Sequence, residues 1–250
     1  MIKFADVYKS FGKQTVLRGL NLTIPRGKIT VILGRSGEGK SVLLKHMLGL
    51  IRPEKGSVVV DGQELAKLDP FALNETRKKF GMLFQNSALF DSMTVFENIA
   101  FPLREHKKLS GEALHKAVSE LVTVVGLKPE VMPKYPSEIS GGMRKRVGLV
   151  RAIALKPQIL LYDEPTTGLD PIMTDVIGSL ILNTQRSLGI TSVVISHDIG
   201  STYGIADNIV MLHEGQILME GPPENFKKAT DPVIRNFLEG HASAEQKAAL

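Results

Sequence analysis

A glycine-rich segment near the N-terminus has the residue types and spacing to bind phosphate. It reads Gly-Arg-Ser-Gly-Glu-Gly-Lys-Ser and fits the pattern of two glycines separated by four residues, then lysine and serine. Glycines let such a loop wrap closely around an anion, and backbone N–H groups at the start of the next helix point at it. We expect Lys40 to contact the β- and γ-phosphates of a nucleotide and Ser41 to offer its hydroxyl to Mg²⁺. The predicted nucleotide contacts in this loop are Gly34, Arg35, Ser36, Gly37, Glu38, Gly39, Lys40 and Ser41.

Two adjacent carboxylates, Asp163 and Glu164, follow a short apolar run. A carboxylate at the carboxyl end of a parallel strand lies on the ligand side of the sheet, where the phosphate loop needs a metal ligand. We expect Asp163 to hold Mg²⁺, directly or through water, as a hard oxygen ligand. Glu164 would then orient, or accept a proton from, the water that attacks the γ-phosphate. The pair favours nucleotide hydrolysis, which the loop alone leaves open because kinases, GTPases and motors share it.

Two further polar side chains follow predicted strands. They are candidate functional residues only because they occur together with the phosphate loop and the carboxylate pair. His197 comes just after the apolar run 191–195, and Gln85 follows residues 82–84. A lone histidine is more often structural than catalytic, and a glutamine in a loop carries little information by itself. The other histidines lack metal-ligand spacing; they are His46, His106, His115, His213 and His241.

The elements that must position these side chains have the pattern of an α/β fold. Apolar runs that suit buried strands alternate with helical segments, and strand–helix–strand order implies parallel pairing. A helical region covers about residues 86–156, where apolar residues recur at helical spacing between 114 and 125. Predicted strands cover residues 4–8, 15–24, 29–33, 57–60, 159–162, 191–195, 209–212 and 216–219, and predicted helices cover residues 40–50 and 171–188.

The composition is that of an ordinary globular domain, with 250 residues, 43% hydrophobic and 23% charged. The absence of cysteine excludes disulfides and thiolate metal sites and fits a reducing compartment. We expect a cytoplasmic protein, because the N-terminus lacks signal-peptide features and no apolar run approaches the ~20 residues that span a bilayer. The net charge of +5 indicates a solvated basic surface, with proximity to anionic lipid as the weaker alternative, and no direct nucleic-acid partner is expected.

A second glycine-containing motif separates this chain from other P-loop proteins. Residues 139–146, Ile-Ser-Gly-Gly-Met-Arg-Lys-Arg, resemble the signature sequence of ABC ATPases and stand just before the run 159–163. The resemblance covers nearly the whole chain. It implies an α/β fold of the ABC type of P-loop NTPase, with a mixed sheet core, N-terminal antiparallel strands and a helical subdomain at about 86–156. The ABC domain would cover residues 2–240, and a short, frayed tail would follow at 241–250.

The resemblance also implies roles for individual residues. Ser140, Gly141 and Gly142 open a helix, and they would bind the γ-phosphate of ATP held by a second copy of the chain. Two ATP molecules would then lie in a head-to-tail homodimer. Phe11 would stack on adenine, and Asp170 of the D-loop would line the nucleotide site. The implied catalytic residues are Glu164, the switch histidine His197 and the Q-loop residue Gln85, and the implied Mg²⁺ ligands are Ser41, Gln85 and Asp163.

One departure from the general family narrows the resemblance. Met143 replaces the usual signature glutamine, and both Met143 and residues 82–106 look like the Mla- and Mce-associated subfamily, which transports phospholipid across the envelope. This implies an integral membrane permease of the MlaE type, an envelope lipid-binding protein of the MCE type, and a role in outer-membrane lipid asymmetry. Binding of a small STAS-domain protein stays open. The chain would lie peripherally on the cytoplasmic face of the inner membrane.

The segment after Gln85 suggests where such a permease docks. Ala88, Leu89, Phe90 and Met93 place apolar groups beside the nucleotide switch, and packing within the subdomain's own core is the alternative. Replacing Phe90 with Asp is expected to uncouple transport and leave basal ATPase activity intact. Two other functions stay open, an ATPase subunit of a small-solute, amino-acid-type importer and a soluble ABC ATPase that acts on nucleic acid or ribosomes.

Overall fold

Ten strands and nine α-helices make up residues 1–239, the part of the chain that the computed structural model describes. The predicted tail at 241–250 lies outside the described residues. The strands are β1 (Ile2–Phe11), β2 (Gln14–Ile24), β3 (Ile29–Leu33), β4 (Lys55–Val60), β5 (Gln63–Glu64), β6 (Phe80–Leu83), β7 (Ile159–Asp163), β8 (Thr191–Ser196), β9 (Asn208–His213) and β10 (Gln216–Gly221). The helices are α1 (Lys40–Met47), α2 (Pro70–Arg77), α3 (Val95–Lys107), α4 (Gly111–Val124), α5 (Gly141–Ile153), α6 (Pro171–Leu188), α7 (Ile199–Tyr203), α8 (Pro223–Lys227) and α9 (Pro232–Leu238).

The larger sheet has the order β10-β9-β3-β8-β7-β6, and all its neighbours pair in parallel except β10 with β9. Parallel strands that are connected through helices end at the same edge of a sheet. Here that edge is formed by the carboxyl ends of β3, β6, β7 and β8. The phosphate loop, the glutamine, the carboxylate pair and the histidine singled out above follow these four ends. The predicted α/β fold is confirmed, with a mixed sheet at its centre.

A second sheet is antiparallel and has the order β2-β1-β4-β5. The hairpins β4–β5 and β9–β10 both close through two residues with positive φ, Asp61 and Gly62 in one and Glu214 and Gly215 in the other. Such turns match the twist of paired strands, and glycine adopts the left-handed conformation without strain.

The central sheet separates two apolar cores, because successive side chains of a strand point to opposite faces. In β3, Val31 and Leu33 contact the core that contains helices α3, α4 and α5, while Ile32 contacts the core beneath the antiparallel sheet and α1. All five residues of β3 are buried. A strand covered on both faces reads as a continuous apolar run, which is why its bounds could be predicted to the residue.

The predicted helical region contains α3, α4 and α5, and its boundary as a subdomain stays a prediction. Helix α3 begins at a capping box in which Thr94 and Glu97 satisfy each other's backbone N–H groups. Helix α4 buries Leu114, Val118 and Val122 on one face, as its apolar spacing predicts. None of the helices described up to residue 239 is long and apolar enough to cross a bilayer.

The predicted end of the first helix and the predicted start of the helical region are wrong. Helix α1 ends at Met47 rather than Leu50, because Gly49 adopts φ +61° and closes a C-terminal cap before Pro53 is reached. In this cap the N–H of Gly49 donates to His46 O and the N–H of Leu50 to Lys45 O. The helical region also does not begin at residue 86: the segment between β6 and α3 forms turns. Several strands extend one to three residues beyond their predicted ends.

Candidate active site

The phosphate loop connects the buried strand β3 to helix α1. Gly37 and Gly39 adopt φ of +87° and +99°, in the left-handed region that favours glycine. A Cβ atom at Gly39 would lie 2.8 Å from Val16 Cγ1 of β2, and one at Gly34 would lie 2.8 Å from Leu212 O of β9. Strands from both sheets therefore press on the loop, and its glycines are required by both conformation and close packing.

Lys40, the first residue of α1, has its ammonium group inside the loop. Its Nζ donates to Gly34 O at 2.7 Å and to Arg35 O at 2.8 Å. Burial lowers the pKa of Lys40, and nearby Glu164, Glu38 and Asp163 oppose that effect. The ammonium is thus fixed between the loop backbone and a group of carboxylates, which suits contact with the β- and γ-phosphates.

Glu38 has a different neighbourhood from the rest of the loop. Its Oε1 lies 3.1 Å from His213 Nδ1, and its Oε2 accepts a hydrogen bond from the backbone N–H of Glu214. The side chain therefore braces the loop against the β9–β10 turn. Ser36 and Ser41 are exposed on the loop and at the first turn of α1, and the side chain of Arg35 is half-buried. The sequence did not predict that the Glu38 carboxylate points to this turn.

The carboxylate pair lies at the carboxyl end of β7, beside the loop. Asp163 is the last residue of the strand, and burial together with the adjacent Glu164 raises its pKa, while Lys40 and Lys45 oppose the shift. Glu164 follows with φ +47°, a strained conformation for a residue with a side chain. The kink turns Glu164 out of the strand direction and toward β8.

Two side chains contact the Glu164 carboxylate, and β8 contacts its backbone. His197 Nδ1, just after β8, lies 3.3 Å from Glu164 Oε1, and Thr167 Oγ1 donates to Glu164 Oε2 at 3.0 Å. The backbone N–H of Glu164 donates to Ile195 O of β8 at 3.0 Å. The histidine is half-exposed, with 52% of its side chain accessible, whereas Glu164 has 20% accessible. The structure therefore brings the predicted pair of Glu164 and His197 into contact at an open edge of the site.

Hard oxygen donors stand where Mg²⁺ is expected. Among residues 1–239 no group of three or more His, Cys, Asp or Glu side chains is placed to hold a metal ion. One carboxylate and one hydroxyl, Asp163 and Ser41, flank the phosphate loop instead. Nucleotide-bound Mg²⁺ takes such a donor set, because phosphate oxygens and water fill its other positions. The residues present fit Mg²⁺, and the half-buried carboxylate of Asp163 would gain from a cation beside it.

The signature residues sit on another part of the chain. Ser140 is the exposed N-cap of α5, and its Oγ accepts the N–H of Met143 at 3.3 Å. A Cβ at Gly142 would lie 2.3 Å from Met173 Cε of α6, so a side chain at this position would require the Met173 methyl group to move. Helix α5 packs against α3, α4, α6 and β6, whereas the phosphate loop packs against β2 and the β9–β10 turn. Different elements thus hold the two motifs, and Ser140 presents an exposed helix N-terminus.

Two other predicted nucleotide contacts lie at the surface. Phe11 ends β1 with 49% of its surface exposed, and Lys9 Nζ lies 5.4 Å from its ring centroid. Asp170 caps α6, since its Oδ1 accepts the N–H of Met173 at 2.9 Å. The exposed ring of Phe11 suits stacking on adenine, while the carboxylate of Asp170 already has a structural hydrogen bond.

Gln85 follows β6 by two residues, and its backbone reveals a residue that the sequence did not single out. Gln85 O accepts a hydrogen bond from Lys145 Nζ of α5, which also lies 3.5 Å from Glu164 O. Lys145 is buried, with 5% of its surface exposed. In the sequence it stands within the basic run of the signature motif, and no residue pattern distinguishes this buried lysine from Arg144 and Arg146 beside it.

Comparisons of sequence agree with this geometry. The ABC transporter family model matches residues 17–167. The probable ribonucleotide transport ATP-binding protein mkl of Mycobacterium tuberculosis is 44% identical over 239 residues, which are 96% of this chain and 66% of that protein. The chain thus spans just under two thirds of this relative's length. The intermembrane phospholipid transport system ATP-binding protein MlaF of Escherichia coli is 40% identical over 242 residues, 97% of this chain and 90% of MlaF.

A solved structure extends the similarity to three dimensions. The dimeric, post-hydrolysis structure of the ATP-binding cassette MJ0796 bound to ADP and Pi matches with a TM-score of 0.80 and 32% identity, covering 89% of this chain and 98% of that one. The predictions of an ABC-type α/β fold and of the family are confirmed. The chain therefore belongs to the ABC transporter family of ATP-binding proteins, the ABC ATPases.

Proposed function

We propose that this chain binds and hydrolyses ATP with Mg²⁺ and powers an ABC transporter that moves phospholipid. The observation that carries the hydrolytic part is the convergence of Lys40, Asp163, Glu164 and His197 at one edge of the sheet, each after the carboxyl end of a parallel strand or in the loop beside it. Beyond the phosphate loop, hydrolysis needs a group that orients or deprotonates the attacking water, and here the Glu164 carboxylate in contact with His197 can supply it.

The proposed mechanism assigns each side chain one task. Lys40 contacts the β- and γ-phosphates, and Glu164 orients the attacking water and accepts its proton. His197, 3.3 Å from Glu164, holds that carboxylate and reaches toward the transferred phosphoryl group. Mg²⁺, held by Ser41 and Asp163 with Gln85 nearby, would neutralise phosphate charge when bound. Such sites work mainly by positioning and electrostatic stabilisation, so the fixed neighbours of Lys40 and Glu164 are part of the mechanism.

A single chain supplies only part of this site in our proposal. The helix N-terminus at Ser140, Gly141 and Gly142 is held away from the phosphate loop of its own chain, and it suits an anion. A second copy in head-to-tail arrangement would place that terminus on the γ-phosphate, so that two nucleotides join two chains. The similarity to a dimeric cassette supports this arrangement. ATP then favours the closed dimer, and hydrolysis removes the group that both chains share.

The proposed cargo is phospholipid. Support comes from the name of the relative MlaF, which aligns with 97% of this chain, and from Met143 in the signature. A second candidate is ribonucleotide, because the more similar mycobacterial relative carries that word in its name. The small-solute importer is a third. The ATP site cannot discriminate among them, because the membrane partner contacts the cargo.

A cluster of exposed aromatic rings is the proposed contact with the membrane partner. Phe90 and Phe101 are 43% and 41% exposed, with their ring centroids 5.4 Å apart, and Phe84 nearby in sequence is 42% exposed. Exposed aromatic clusters of this kind are typical of interfaces. We propose an MlaE-like permease as the partner, together with an MCE-type protein and a STAS-domain protein in the same complex. The chain would lie on the cytoplasmic face of the inner membrane through these contacts.

The cargo proposal can be tested on the assembled transporter. The tagged chain is purified from membranes in mild detergent, and mass spectrometry identifies the proteins and small molecules that accompany it. We expect a permease with enriched phospholipid, retained in proportion to the complex. Enrichment of ribonucleotide beyond the amount that the ATP sites hold, with no phospholipid above the level of an unrelated membrane protein, would contradict the phospholipid proposal.

A further inference from the structure

One side of helix α5 contacts the segment that follows β6, here called the Q-loop segment (residues 85–90). Lys145, Gly148 and Arg151 are spaced by three residues and face it. Lys145 Nζ donates to Gln85 O, and Arg151 Nη2 donates to Ser87 O at 3.0 Å. Between them, a Cβ on Gly148 would lie 3.1 Å from Ser87 Cβ, so the helix backbone approaches the segment closely. The helix holds the segment at three successive points.

Both cations in this contact bond to backbone carbonyls, and Lys145 is buried while Arg151 is half-buried. Lys145 is 5% exposed, and burial lowers the pKa of both Lys145 and Arg151. Removing a cation from water destabilises a protein unless hydrogen bonds compensate, and an apolar side chain of similar volume would often stabilise such a position as well. Packing alone therefore does not explain why cations occupy these positions. Their hydrogen bonds to the backbone of the Q-loop segment do explain it.

The backbone that these cations hold is strained. Ser87 and Ala88 adopt φ of +62° and +46°, two consecutive left-handed residues that are not glycine. Such residues are strained, and they persist only where the surroundings enforce this conformation. Ser87 is buried, with 2% of its surface exposed. The bonds from α5 supply this enforcement and fix the direction in which Gln85 leaves β6.

Lys145 also joins the Q-loop segment to the carboxylate pair. Its Nζ lies between Gln85 O and Glu164 O, the latter at 3.5 Å. Glu164 is itself in a left-handed kink with φ +47°. One ammonium group thus attracts the backbone of both candidate catalytic residues, and it belongs to the helix whose first turn presents Ser140.

We propose that Lys145 is a positioning residue that sets Gln85 and Glu164 relative to each other and couples both to the signature helix α5. This inference rests on the proposed ATPase function. When a second copy's nucleotide engages Ser140, any displacement of α5 is transmitted through Lys145 to both side chains. Hydrolysis then requires α5 to be in the position that it takes in the closed dimer. Activation of the water therefore depends on dimer closure.

The test compares ATP hydrolysis by K145M, K145R and the control K116M, which removes an exposed lysine from α4. K145M keeps length and loses both donor and charge. We expect its kcat to fall at least about ten-fold with KM for ATP within about two-fold, because misplacement of a catalytic group affects the transition state more than ground-state binding. K145R, which keeps donors and charge, should recover most of kcat, and K116M should match the wild type.

A double-mutant cycle separates positioning from general destabilisation. Q85A keeps the carbonyl that Lys145 binds but removes the side chain that it positions. If Lys145 acts through Gln85, K145M should lower kcat by a factor at least about three times smaller in the Q85A background than in the wild type. If K145M does not fold, K145Q takes its place in the same cycle.

Three results would overturn the inference. They are equal kcat for K145M and K116M, full additivity of K145M with Q85A, and a loss in K145M that K145R does not relieve. Each of these leaves the proposed function standing, because the wild-type chain still hydrolyses ATP. A wild-type chain that binds ATP but hydrolyses none at any concentration or with its membrane partner would instead contradict the proposed function, and the inference with it.

Discussion

Glu164 contacts more parts of the candidate site than any other residue described above, through both its side chain and its backbone. It contacts His197 and Thr167 through its carboxylate, Ile195 through its N–H, and Lys145 through its carbonyl oxygen. The left-handed backbone at this residue is the cause, since it lets one position face β8 and α5 at once. Strain of this kind is found where geometry serves function.

Substitution of Glu164 by Gln tests its assignment. The amide has the same size and can still accept from Thr167 Oγ1, but it cannot take a proton from water. We expect kcat to fall by about 10²–10⁴-fold while ATP binding is kept. Steady-state hydrolysis and equilibrium nucleotide binding measure the two effects, with the exposed E120Q of α4 as the control. An E164Q chain that retains half of wild-type turnover would remove Glu164 from the mechanism.

A second prediction at the residue scale concerns His46 and the pH dependence of the free energy of unfolding. It is buried in α1 with Nδ1 2.8 Å from Val42 O, and its Nε2 has no hydrogen-bond partner in the part of the chain described. Burial lowers the pKa of His46 below its ordinary value, with Lys9 adding to the effect and the Val42 bond opposing it. Below about pH 6.5 the unfolded chain therefore takes up a proton that the folded chain resists, and stability falls as the pH drops through the folded pKa.

The measurement is urea unfolding at about pH 7.5 and about pH 5.5 for the wild type, H46L and the exposed control H106L. We expect H46L to lose less free energy of unfolding than the wild type over this range, by at most about 1.4 kcal/mol per pH unit. H106L should follow the wild type. Equal losses in H46L and the wild type would show that another group carries the pH dependence.

Sequence patterns predicted the residues of the ATP site better than they predicted the residues that contact them. Lys40, Asp163, Glu164 and His197 stand at motif positions, and the structure places them together, although their roles stay predictions. Lys145 could not be found in this way, because its burial depends on how α5 meets β6, which no local pattern encodes. The direction of the Glu38 side chain is equally non-local: its partners are 175 and 176 residues away in sequence.

At the scale of elements, buried strands were predicted well and ends of helices less well. The run of β3 is apolar apart from Thr30 and is bounded by Lys28 and Gly34, and α6 begins and ends at clear signals, Pro171 and Gly189. Helix α1 carries competing stop signals at Gly49 and Pro53, and the glycine cap decides. The turns after β6 were missed because residues 86–90 include no glycine or proline to mark them.

The prediction at the scale of elements concerns the aromatic cluster of Phe90 and Phe101, which is the proposed contact with the permease. F90D places a charge in the proposed docking surface, and F71D places one on α2, where Phe71 is 76% exposed. Because burying an unpaired carboxylate in an interface is costly, F90D should reduce permease recovered with the tagged chain at least about ten-fold. F71D should not. Equal recovery with the two variants would contradict the docking surface.

At the scale of the whole molecule, the phosphate loop and the signature motif are held by different elements of the chain. The phosphate loop is braced by β2 and the β9–β10 turn, and the signature terminus is carried by α5 among the helices. This division explains why sequence could predict the components while the arrangement of two chains stays a proposal. In our proposal Lys145 lies between the helix N-terminus that would contact a second chain and the residues that would act on water.

The most direct test of the account mixes two inactive chains. K40A disables the phosphate loop, and S140D keeps an N-cap for α5 while its charge repels a γ-phosphate. Each variant alone should hydrolyse almost no ATP. In a head-to-tail dimer, the heterodimer pairs one intact Lys40 with one intact Ser140, so an equal mixture should recover on the order of a quarter of wild-type activity if one site suffices. A mixture no more active than its separate components, or an S140D chain active by itself, would contradict the claim that two chains share each ATP.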